Sequence, residues 1–145
     1  MIIRRATLND AEWVLKIRNS EKIRNLSLKD RNIIQLEKHI LWFAKKLENK
    51  NDVFFVLEIH NAIEWYCRLD YLADKEYLIS IAINPYTLSK WLWSKLLIES
   101  LKNLNNWDNV IAEIINSNLI SQNFFKKFWF IERKEWTYEL IINHA

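Results

Sequence analysis

The sequence of 145 residues contains no glycine and has only one proline and one cysteine. Glycine makes up ~7% of an average protein, so roughly ten would be expected in a chain of this length. Glycine is the residue that adopts positive φ angles and lets two backbones approach closely. A compact fold without glycine must therefore form its turns with Asn, Asp and Ser.

Other missing features exclude several classes of protein. The single cysteine, Cys67, excludes an internal disulfide and is consistent with a reducing compartment. No stretch approaches the ~18 apolar residues that cross a membrane, and Arg4 and Arg5 follow too closely on the first residues for a signal peptide. Scattered histidines and one cysteine give no metal-ligand spacing. We therefore expect a soluble, cytoplasmic protein without a membrane segment or a metal site.

The charge and size of the chain narrow its partners. The net charge is +3, and the lysines are spread along the chain rather than clustered. We therefore do not expect nucleic acid as a partner, whereas a basic cleft for an anionic small molecule remains compatible with the sequence. Half of the residues are hydrophobic, which suffices for the core of a single domain spanning residues 1–145.

Hydrophobic periodicity and turn residues predict the element order βααβββαβαββ. The predicted strands cover residues 2–6, 53–59, 63–72, 77–83, 110–115, 130–134 and 138–143. The predicted helices run from a cap at Asn9 or Asp10 to residue 17, and over 33–47, 90–104 and 119–128. Tight turns between the three central strands favour an antiparallel meander, whereas the strand 110–115 has a helix on either side, as expected for a parallel neighbour. The predicted fold class is α/β, with a mixed, mostly antiparallel sheet and helices on both faces.

A co-linear set of short motifs carries a family resemblance. The set comprises Ile3-Arg4 with Asp10, Ile17-Arg18-Asn19 with Ile23-Arg24, Glu37-Lys38-His39 with Trp42-Phe43, Arg68-Leu69-Asp70, Ile79-Ser80-Ile81-Ala82-Ile83, Ala112-Glu113, and Asn118 with Ser121 and Phe124-Phe125-Lys126-Lys127. Over essentially its whole length the sequence resembles the GNAT superfamily of acetyl-CoA-dependent N-acetyltransferases. It is most similar to the subgroup that acetylates UDP-linked amino-dideoxy sugars, as in the pseudaminic acid pathway of bacterial flagellin glycosylation.

The resemblance implies acetyl-CoA as the cofactor. Backbone N–H groups at a helix start would bind its pyrophosphate, because orphan amides and the positive end of a helix suit an anion. The corresponding positions are Leu88, Ser89, Lys90, Trp91, Leu92, Trp93 and Ser94. The pantetheine arm would pair with the main chain of Ile81, Ala82 and Ile83, whose side chains also suit a plain core strand. The implied site further includes Asn118, Ser121 and Phe124, although Asn118 equally suits a helix cap.

Six of the eight tryptophans stand where glycine would be natural. The family has glycine at the positions of Trp65, Trp91, Trp93 and Trp129, and Trp107 and Trp136 lie in turn-like sequences. One explanation is that UGA codons read as glycine in the cell have been translated as tryptophan. The alternative is a genuinely tryptophan-rich chain, at a strain of roughly 1–3 kcal/mol for each unfavourable position. Trp13 and Trp42 are expected to be tryptophan under both explanations.

The implied reaction needs a base for the acceptor amine and a proton donor for the leaving thiolate. Glu113 is the candidate base, since burial among its apolar neighbours on the strand 110–115 would make the carboxylate more basic. The alternative is an outward-facing, solvated glutamate. The family's usual acid is a tyrosine at the position of Phe125, which cannot donate a proton. Water, Tyr66 or Tyr86 remain as donors, or the step proceeds unassisted.

The acceptor end of the implied site is basic and aromatic. Arg18, Arg24 and Arg68 offer forked donors to a diphosphate, and His39 and Trp42 share one helix face that suits a base or a sugar. The alternative is a solvated surface for the arginines and core packing for Trp42.

These observations predict an N-acetyltransferase that acts on a small-molecule acceptor, with the amine of a UDP-linked amino-deoxy sugar as the expected nucleophile. Acetylation of a protein N-terminal or another small-molecule amine is the alternative activity. A catalytically dead fold that binds a nucleotide or a partner is the other alternative, favoured if Trp91 and Trp93 are genuine. The last two strands suit pairing with a second copy in a homodimer.

Overall fold

The computed structural model describes residues 1–28, 31–83 and 90–144. Within these ranges the strands are β1 (Ile2–Arg5), β2 (Val53–Ile59), β3 (Ala62–Tyr71), β4 (Glu76–Ile83), β5 (Asn109–Glu113), β6 (Ile131–Lys134) and β7 (Thr137–Ile141). The helices are α1 (Ala11–Arg18), α2 (Glu21–Asn25), α3 (Leu36–Glu48), α4 (Lys90–Leu101) and α5 (Leu119–Lys127). The predicted element order is confirmed, with two additions: a 3₁₀ turn over Leu8–Asp10 and the short helix α2.

The strands form one sheet in the order β1-β2-β3-β4-β5-β7-β6. Only β4 and β5 pair in parallel, and all other neighbours are antiparallel. The turns between β2, β3 and β4 use His60 and Asn61, then Asp74 and Lys75, all at positive φ. Asn and Asp tolerate the left-handed region better than other side chains, so the chain makes these hairpins without glycine.

One face of the sheet, the α4/α5 face, carries the larger core. Leu92 and Leu96 of α4 and Phe124 of α5 pack there against fully buried strand residues such as Trp65. Leu92 was expected to take part in cofactor binding through its backbone, and its side chain belongs to this core. Truncating a fully buried side chain such as Leu96 to alanine costs roughly 2–5 kcal/mol.

The opposite face, the α1/α3 face, packs Val14 of α1 and Phe43 of α3 against Tyr66 of β3. Consecutive strand residues point to opposite faces, so Trp65 and Tyr66 belong to different cores. The predicted arrangement of helices on both faces is confirmed.

An ion pair fastens the start of α1 to the sheet. Arg4 donates to both carboxylate oxygens of Asp10 at 2.8 and 2.9 Å, and to Glu58 at 2.9 Å. Burial by itself raises the pKa of Asp10, but the hydrogen bonds from Arg4 and Thr7 hold it below its ordinary value. This network fixes α1, and with it Arg18 at the far end of that helix.

Three of the tryptophans occupy left-handed backbone. The φ angles are 75° at Trp107, 66° at Trp129 and 65° at Trp136. Each of these side chains is exposed, so burial of the ring does not offset the backbone strain. For a bulky residue this conformation is a genuine outlier, whereas glycine adopts it freely. In the described part of the chain, no helix is long and apolar enough to span a membrane.

Candidate functional site

The parallel strands β4 and β5 separate before they end. Their pairing is restricted to Glu76 with Asn109, Tyr77 with Val110 and Leu78 with Ile111. Strand β4 continues to Ile83 and β5 to Glu113 without further pairing between them. The main-chain groups of β4 that face this gap, which we call the cleft, are therefore free to pair with an extended ligand. Ile81, Ala82 and Ile83 border the cleft, as predicted.

Helix α4 is the next described element after β4, the strand that borders the cleft. Leu88 and Ser89, the first positions of the predicted phosphate loop, lie outside the described residues, as do the side chains of Lys90 and Ile83. Trp91 is exposed, and the Lys95 ammonium lies 4.7 Å from its ring centroid. Ser94 is partly buried one turn into the helix. Because α4 has 12 residues, its N-terminus carries the usual partial positive charge.

Aromatic rings bridge the elements around the cleft. The Trp93 ring lies 5.4 Å from the Trp65 ring and 4.8 Å from the Phe124 ring, nearly perpendicular to each. This contact joins the first turn of α4 to α5. The indole nitrogens of Trp65 and Trp93 are buried and have no hydrogen-bond partner among residues 1–28, 31–83 and 90–144, and a buried donor without a partner costs roughly 1–3 kcal/mol.

Helix α5 begins as predicted. The Asn118 side chain accepts a hydrogen bond from the Ser121 backbone N–H at 3.2 Å and so caps the helix. The capping role of Asn118 is confirmed, and its contact with a cofactor stays a prediction. Phe125 is buried in the α4/α5 core, 4.9 Å from the Phe130 ring. It supplies apolar packing at the position where the sequence resemblance implies a tyrosine.

Glu113 is the last residue of β5 and is exposed, which corresponds to the solvated alternative. Leu78 pairs with Ile111, and side chains alternate along both strands. Ala82 of β4 belongs to the α1/α3 core, and Val110 and Ala112 of β5 belong to the α4/α5 core. By this alternation Ser80 and Glu113 belong to the α1/α3 face. A carboxylate at this place meets water and any acceptor that approaches the cleft from that face.

Tyr66 lies on the same face, opposite Ala82 in the ladder between β3 and β4. Burial raises the pKa of Tyr66, and its hydroxyl shares a hydrogen bond with Ser80. The hydroxyl is therefore protonated at neutral pH and available as a donor. Tyr86, the other tyrosine considered as a donor, lies outside the described residues.

A basic and aromatic cluster lies on the α1/α3 face. The guanidinium carbons of Arg18 and Arg68 lie 4.1 Å and 4.8 Å from the Trp42 ring centroid. Arg18 Nη1 is 3.2 Å from His39 Nδ1. The structure therefore brings together predicted acceptor residues from α1, α3 and β3. We call Arg18, His39, Trp42 and Arg68 the arginine cluster.

Arg24 is not part of this cluster. Its Nε donates to the Asn19 carbonyl and its Nη1 to the Arg31 carbonyl, both at 3.1 Å. These bonds stabilise the chain around α2 and use two of the five N–H donors of Arg24. Binding of a diphosphate by Arg24 stays a prediction.

The arginine cluster carries more positive than negative charge. Burial, together with the nearby Arg68 charge, lowers the pKa of Arg18. Arg68 Nε is 3.5 Å from Asp70, and the Lys46 ammonium shares the same carboxylate at 3.1 Å. In residues 1–28, 31–83 and 90–144 no carboxylate forms an ion pair with Arg18. An anion beside Trp42 would supply the missing charge.

Two contacts in this site could not be predicted from the sequence. Lys46 supports Asp70 from another element, and His39 is fully buried against the carbonyl oxygen of Ala11, at 2.7 Å from its Nε2. No local pattern connects His39 with a residue 28 positions earlier. Within the described ranges, no group of three or more His, Cys, Asp or Glu side chains is placed to hold a metal ion.

Comparisons with known proteins give the fold. No protein-family model matches the sequence, and no curated protein matches it. Among solved structures, an N-acetyltransferase from Staphylococcus aureus Mu50 is 22% identical, with a TM-score of 0.79 over 98% of both chains. A GNAT superfamily phosphinothricin acetyltransferase from Sinorhizobium meliloti, in complex with acetyl-CoA, is 15% identical, with a TM-score of 0.82 over 99% of this chain and 89% of that one. The chain has the GNAT acetyltransferase fold.

A third similar structure was solved with an amine bound in addition to CoA. The spermidine N-acetyltransferase from Vibrio cholerae, in complex with CoA and spermine, is 13% identical, with a TM-score of 0.78 over 97% of this chain and 94% of that one. The structural similarity establishes the fold, which the sequence predicted correctly, but sequence identities this low establish nothing more. They do not distinguish the amino-sugar subgroup from other GNAT-fold proteins.

Proposed function

We propose that this GNAT-fold chain transfers an acetyl group from acetyl-CoA to a primary amine. The observation that carries the proposal is the cleft, where β4 and β5 part after Leu78 and Ile111, directly before α4 and α5. An acetyl-CoA-bound protein shares the fold. In this proposal the pantetheine arm pairs with the main chain of Ile81–Ile83, and the start of α4 binds the pyrophosphate.

The proposal includes glycine in the cell at positions 65, 91, 93, 107, 129 and 136. Support comes from two independent observations. Trp107, Trp129 and Trp136 have the positive φ that glycine accepts, and Trp65 and Trp93 bury indole N–H groups that no described residue accepts. UGA codons at all six positions would agree with this proposal, whereas UGG codons there would end it.

Glu113 is proposed as the base. It takes a proton from the acceptor ammonium, directly or through a water molecule. The free amine attacks the thioester carbon, a C–N bond forms, the C–S bond breaks, and the electron pair leaves with the CoA sulfur. The nitrogen loses its second proton to solvent, and solvent or the Tyr66 hydroxyl protonates the thiolate. Phe125 has no proton to give in this step.

The proposed acceptor is the amine of a UDP-linked amino-deoxy sugar, with its diphosphate beside Arg18 and Arg68. The arginine cluster supports an anionic acceptor, because, of the two guanidinium groups beside Trp42, that of Arg68 pairs with Asp70, while that of Arg18 has no carboxylate partner among the described residues. The same charges oppose a polycation such as spermine, the ligand of the Vibrio cholerae protein. A protein N-terminal amine is less favoured, since it brings no anion to this cluster.

The test uses two forms of the chain. The tryptophan form has the sequence as written, and the glycine form carries glycine at the six positions named above. Acetyl-CoA binding is measured by calorimetry, followed by CoA release with UDP-amino sugars, free amino sugars, N-terminal peptides and spermidine. We expect binding and turnover by the glycine form, fastest with UDP-linked sugars.

A control variant replaces the two tryptophans that are expected to be genuine. Trp13→Gly and Trp42→Gly in the glycine form should leave acetyl-CoA affinity unchanged, because neither residue borders the cleft. If neither form binds acetyl-CoA, the transferase proposal fails. If the glycine form binds acetyl-CoA but releases CoA only with uncharged or cationic amines, the acceptor assignment fails alone.

A further inference from the structure

His39 is the completely buried member of the arginine cluster, and it contacts Arg18 and Trp42. Its side chain has 0% exposure, so it does not lie against a bound base or sugar as the sequence suggested. Its ring is within 5.6 Å of the Trp42 centroid and 5.5 Å of the Phe43 centroid. The imidazole is therefore held between α1 and α3, behind the residues that border solvent.

The two hydrogen bonds of His39 fix its protonation. A carbonyl oxygen only accepts, so Nε2 carries a hydrogen and donates to Ala11 O at 2.7 Å. A guanidinium only donates, so Nδ1 is unprotonated and accepts from Arg18 Nη1 at 3.2 Å. Burial and the charges of Arg18 and Arg68 keep the pKa of His39 below its ordinary value, which agrees with a neutral ring.

We propose that His39 is a positioning residue: its Nδ1 holds the Arg18 guanidinium against Trp42, so that Arg18 and Arg68 together bind the phosphate groups of the acceptor. The inference rests on the proposed anionic acceptor and specifies how its site is built. Stacking on Trp42 fixes the plane of the guanidinium, and the bond to Nδ1 fixes its rotation within that plane. The other N–H groups of Arg18 have no hydrogen-bond acceptor among the described residues and are left for a ligand.

His39 is held in place by α1 on one side and by the core of α3 on the other. Ala11 belongs to α1, where the Arg4–Asp10 ion pair holds the preceding turn, and Phe43 beside His39 is itself fully buried. Rotating the Arg18 guanidinium away would leave Nδ1 as a buried, unpaired acceptor. The site is therefore organised before a ligand arrives, which limits the entropy lost on binding.

Two variants separate positioning from simple packing. His39→Asn places an amide oxygen near the position of Nδ1 and keeps an acceptor for Arg18. His39→Gln places its amide nitrogen near the position of Nε2, keeps the donor to Ala11 and loses the acceptor for Arg18. Both remove similar ring packing, so a structural role alone would affect them alike. His144→Asn is the matched control, because His144 Nε2 also meets a carbonyl, that of Leu104, at 2.7 Å.

The first readout is binding of UDP and of inorganic pyrophosphate by calorimetry. We expect His39→Gln to weaken both probes roughly ten-fold, the size of one lost hydrogen bond to a charged group. His39→Asn should stay within about three-fold of the unaltered chain, and His144→Asn should match it. Equal losses in His39→Asn and His39→Gln, or no loss in His39→Gln, would overturn the proposal.

The second readout does not depend on a ligand. In a chain labelled with ¹⁵N-histidine, His39 should show the neutral Nε2–H tautomer, and Arg18→Leu should shift its Nδ1 resonance while leaving His144 unchanged. A charged His39, or an Nδ1–H tautomer, would overturn the proposal. Failure of acetyl-CoA to bind would affect neither readout, so the proposed transferase function and the role of His39 can fail separately.

Discussion

The Trp93 indole meets the Trp65 indole at 87°, with 5.4 Å between the ring centroids, and neither ring nitrogen has a hydrogen-bond partner in the part of the chain that the structure describes. The two residues come from α4 and β3, and Phe124 of α5 touches Trp93 on its other side. The Trp65 and Trp93 rings, which we call the aromatic plug, therefore lie between β3, α4 and α5. Their two indole N–H donors have no acceptor among the described residues. Glycine at positions 65 and 93 would remove both the plug and the orphan donors.

The first prediction concerns this plug. The double variant Trp65→Gly, Trp93→Gly in the tryptophan form should bind acetyl-CoA at least ten-fold more tightly than the unaltered chain, because the rings no longer fill the space between α4 and α5. Calorimetric titration measures the affinity. Trp107→Gly is the matched control, since residue 107 precedes β5 at the end away from the cleft. Equal affinities for the double variant and the unaltered chain would contradict a blocked cleft.

The second prediction concerns backbone strain. Replacing Trp107, Trp129 or Trp136, which all have positive φ, by glycine should raise the free energy of unfolding. The gain should be roughly 1 kcal/mol at Trp107 and Trp129, which are 75% and 78% exposed, and smaller at Trp136, which is 42% exposed and loses more ring contact. Urea denaturation monitored by circular dichroism measures the change.

A helical tryptophan provides the comparison for this series. Trp13 lies within α1, where a change to glycine should lower the free energy of unfolding by roughly 1 kcal/mol. A loss of stability at all four positions would show that tryptophan is accommodated in the left-handed turns.

The third prediction concerns the proposed base. Glu113→Gln should lower kcat by about 10²–10⁴-fold, the usual range for a general base, with little change in acetyl-CoA affinity. CoA release by the glycine form measures both. Glu139 pairs with Ile111 across the β5–β7 ladder and therefore shares the face of Glu113 one strand further from the cleft. Glu139→Gln should retain full activity, and similar rates in the two variants would remove Glu113 from the mechanism.

The fourth prediction follows from the lowered pKa of His39, whose ordinary value is 6.5. Below pH 6.5 the unfolded chain takes up a proton on this residue before the folded chain does, so the free energy of unfolding falls as the pH falls. The slope from one such group is at most about 1.4 kcal/mol per pH unit. His39→Asn should flatten it, whereas His144→Asn should not. Urea titrations between pH 7 and 5 measure this slope, and an unchanged slope in His39→Asn would contradict a neutral buried imidazole.

The fold was largely predictable because strong periodicity and turn residues agree along the chain. The strand predicted over 77–83 is β4, Glu76–Ile83, and Asn118 caps α5 as expected. The boundaries that shifted have local causes. Helix α3 begins at Leu36, since Gln35 is still extended, and α2 was missed because five residues carry too little periodicity to be recognised.

The candidate site was predictable only in part. Arg18, His39, Trp42 and Arg68 were proposed from a resemblance, and the structure brings them together. The sequence could not show that Arg24 would donate two hydrogen bonds to nearby carbonyl groups. Burial of His39 and exposure of Glu113 likewise depend on how α1, α3 and β5 pack, which no short stretch of sequence encodes. Pairing of the last strands between two copies stays a prediction.

The early end of the β4–β5 ladder has a consequence for backbone amide exchange. Past Leu78 and Ile111, alternate N–H groups of β4 face the cleft instead of a neighbouring strand. In the empty protein these amides should exchange with deuterium much faster than those of β3, although both strands lie in the middle of the sheet. A bound pantetheine arm would slow the exchange of these amides and of no others in β4. The exchange rates, measured residue by residue, would then show where the cofactor lies along the strand.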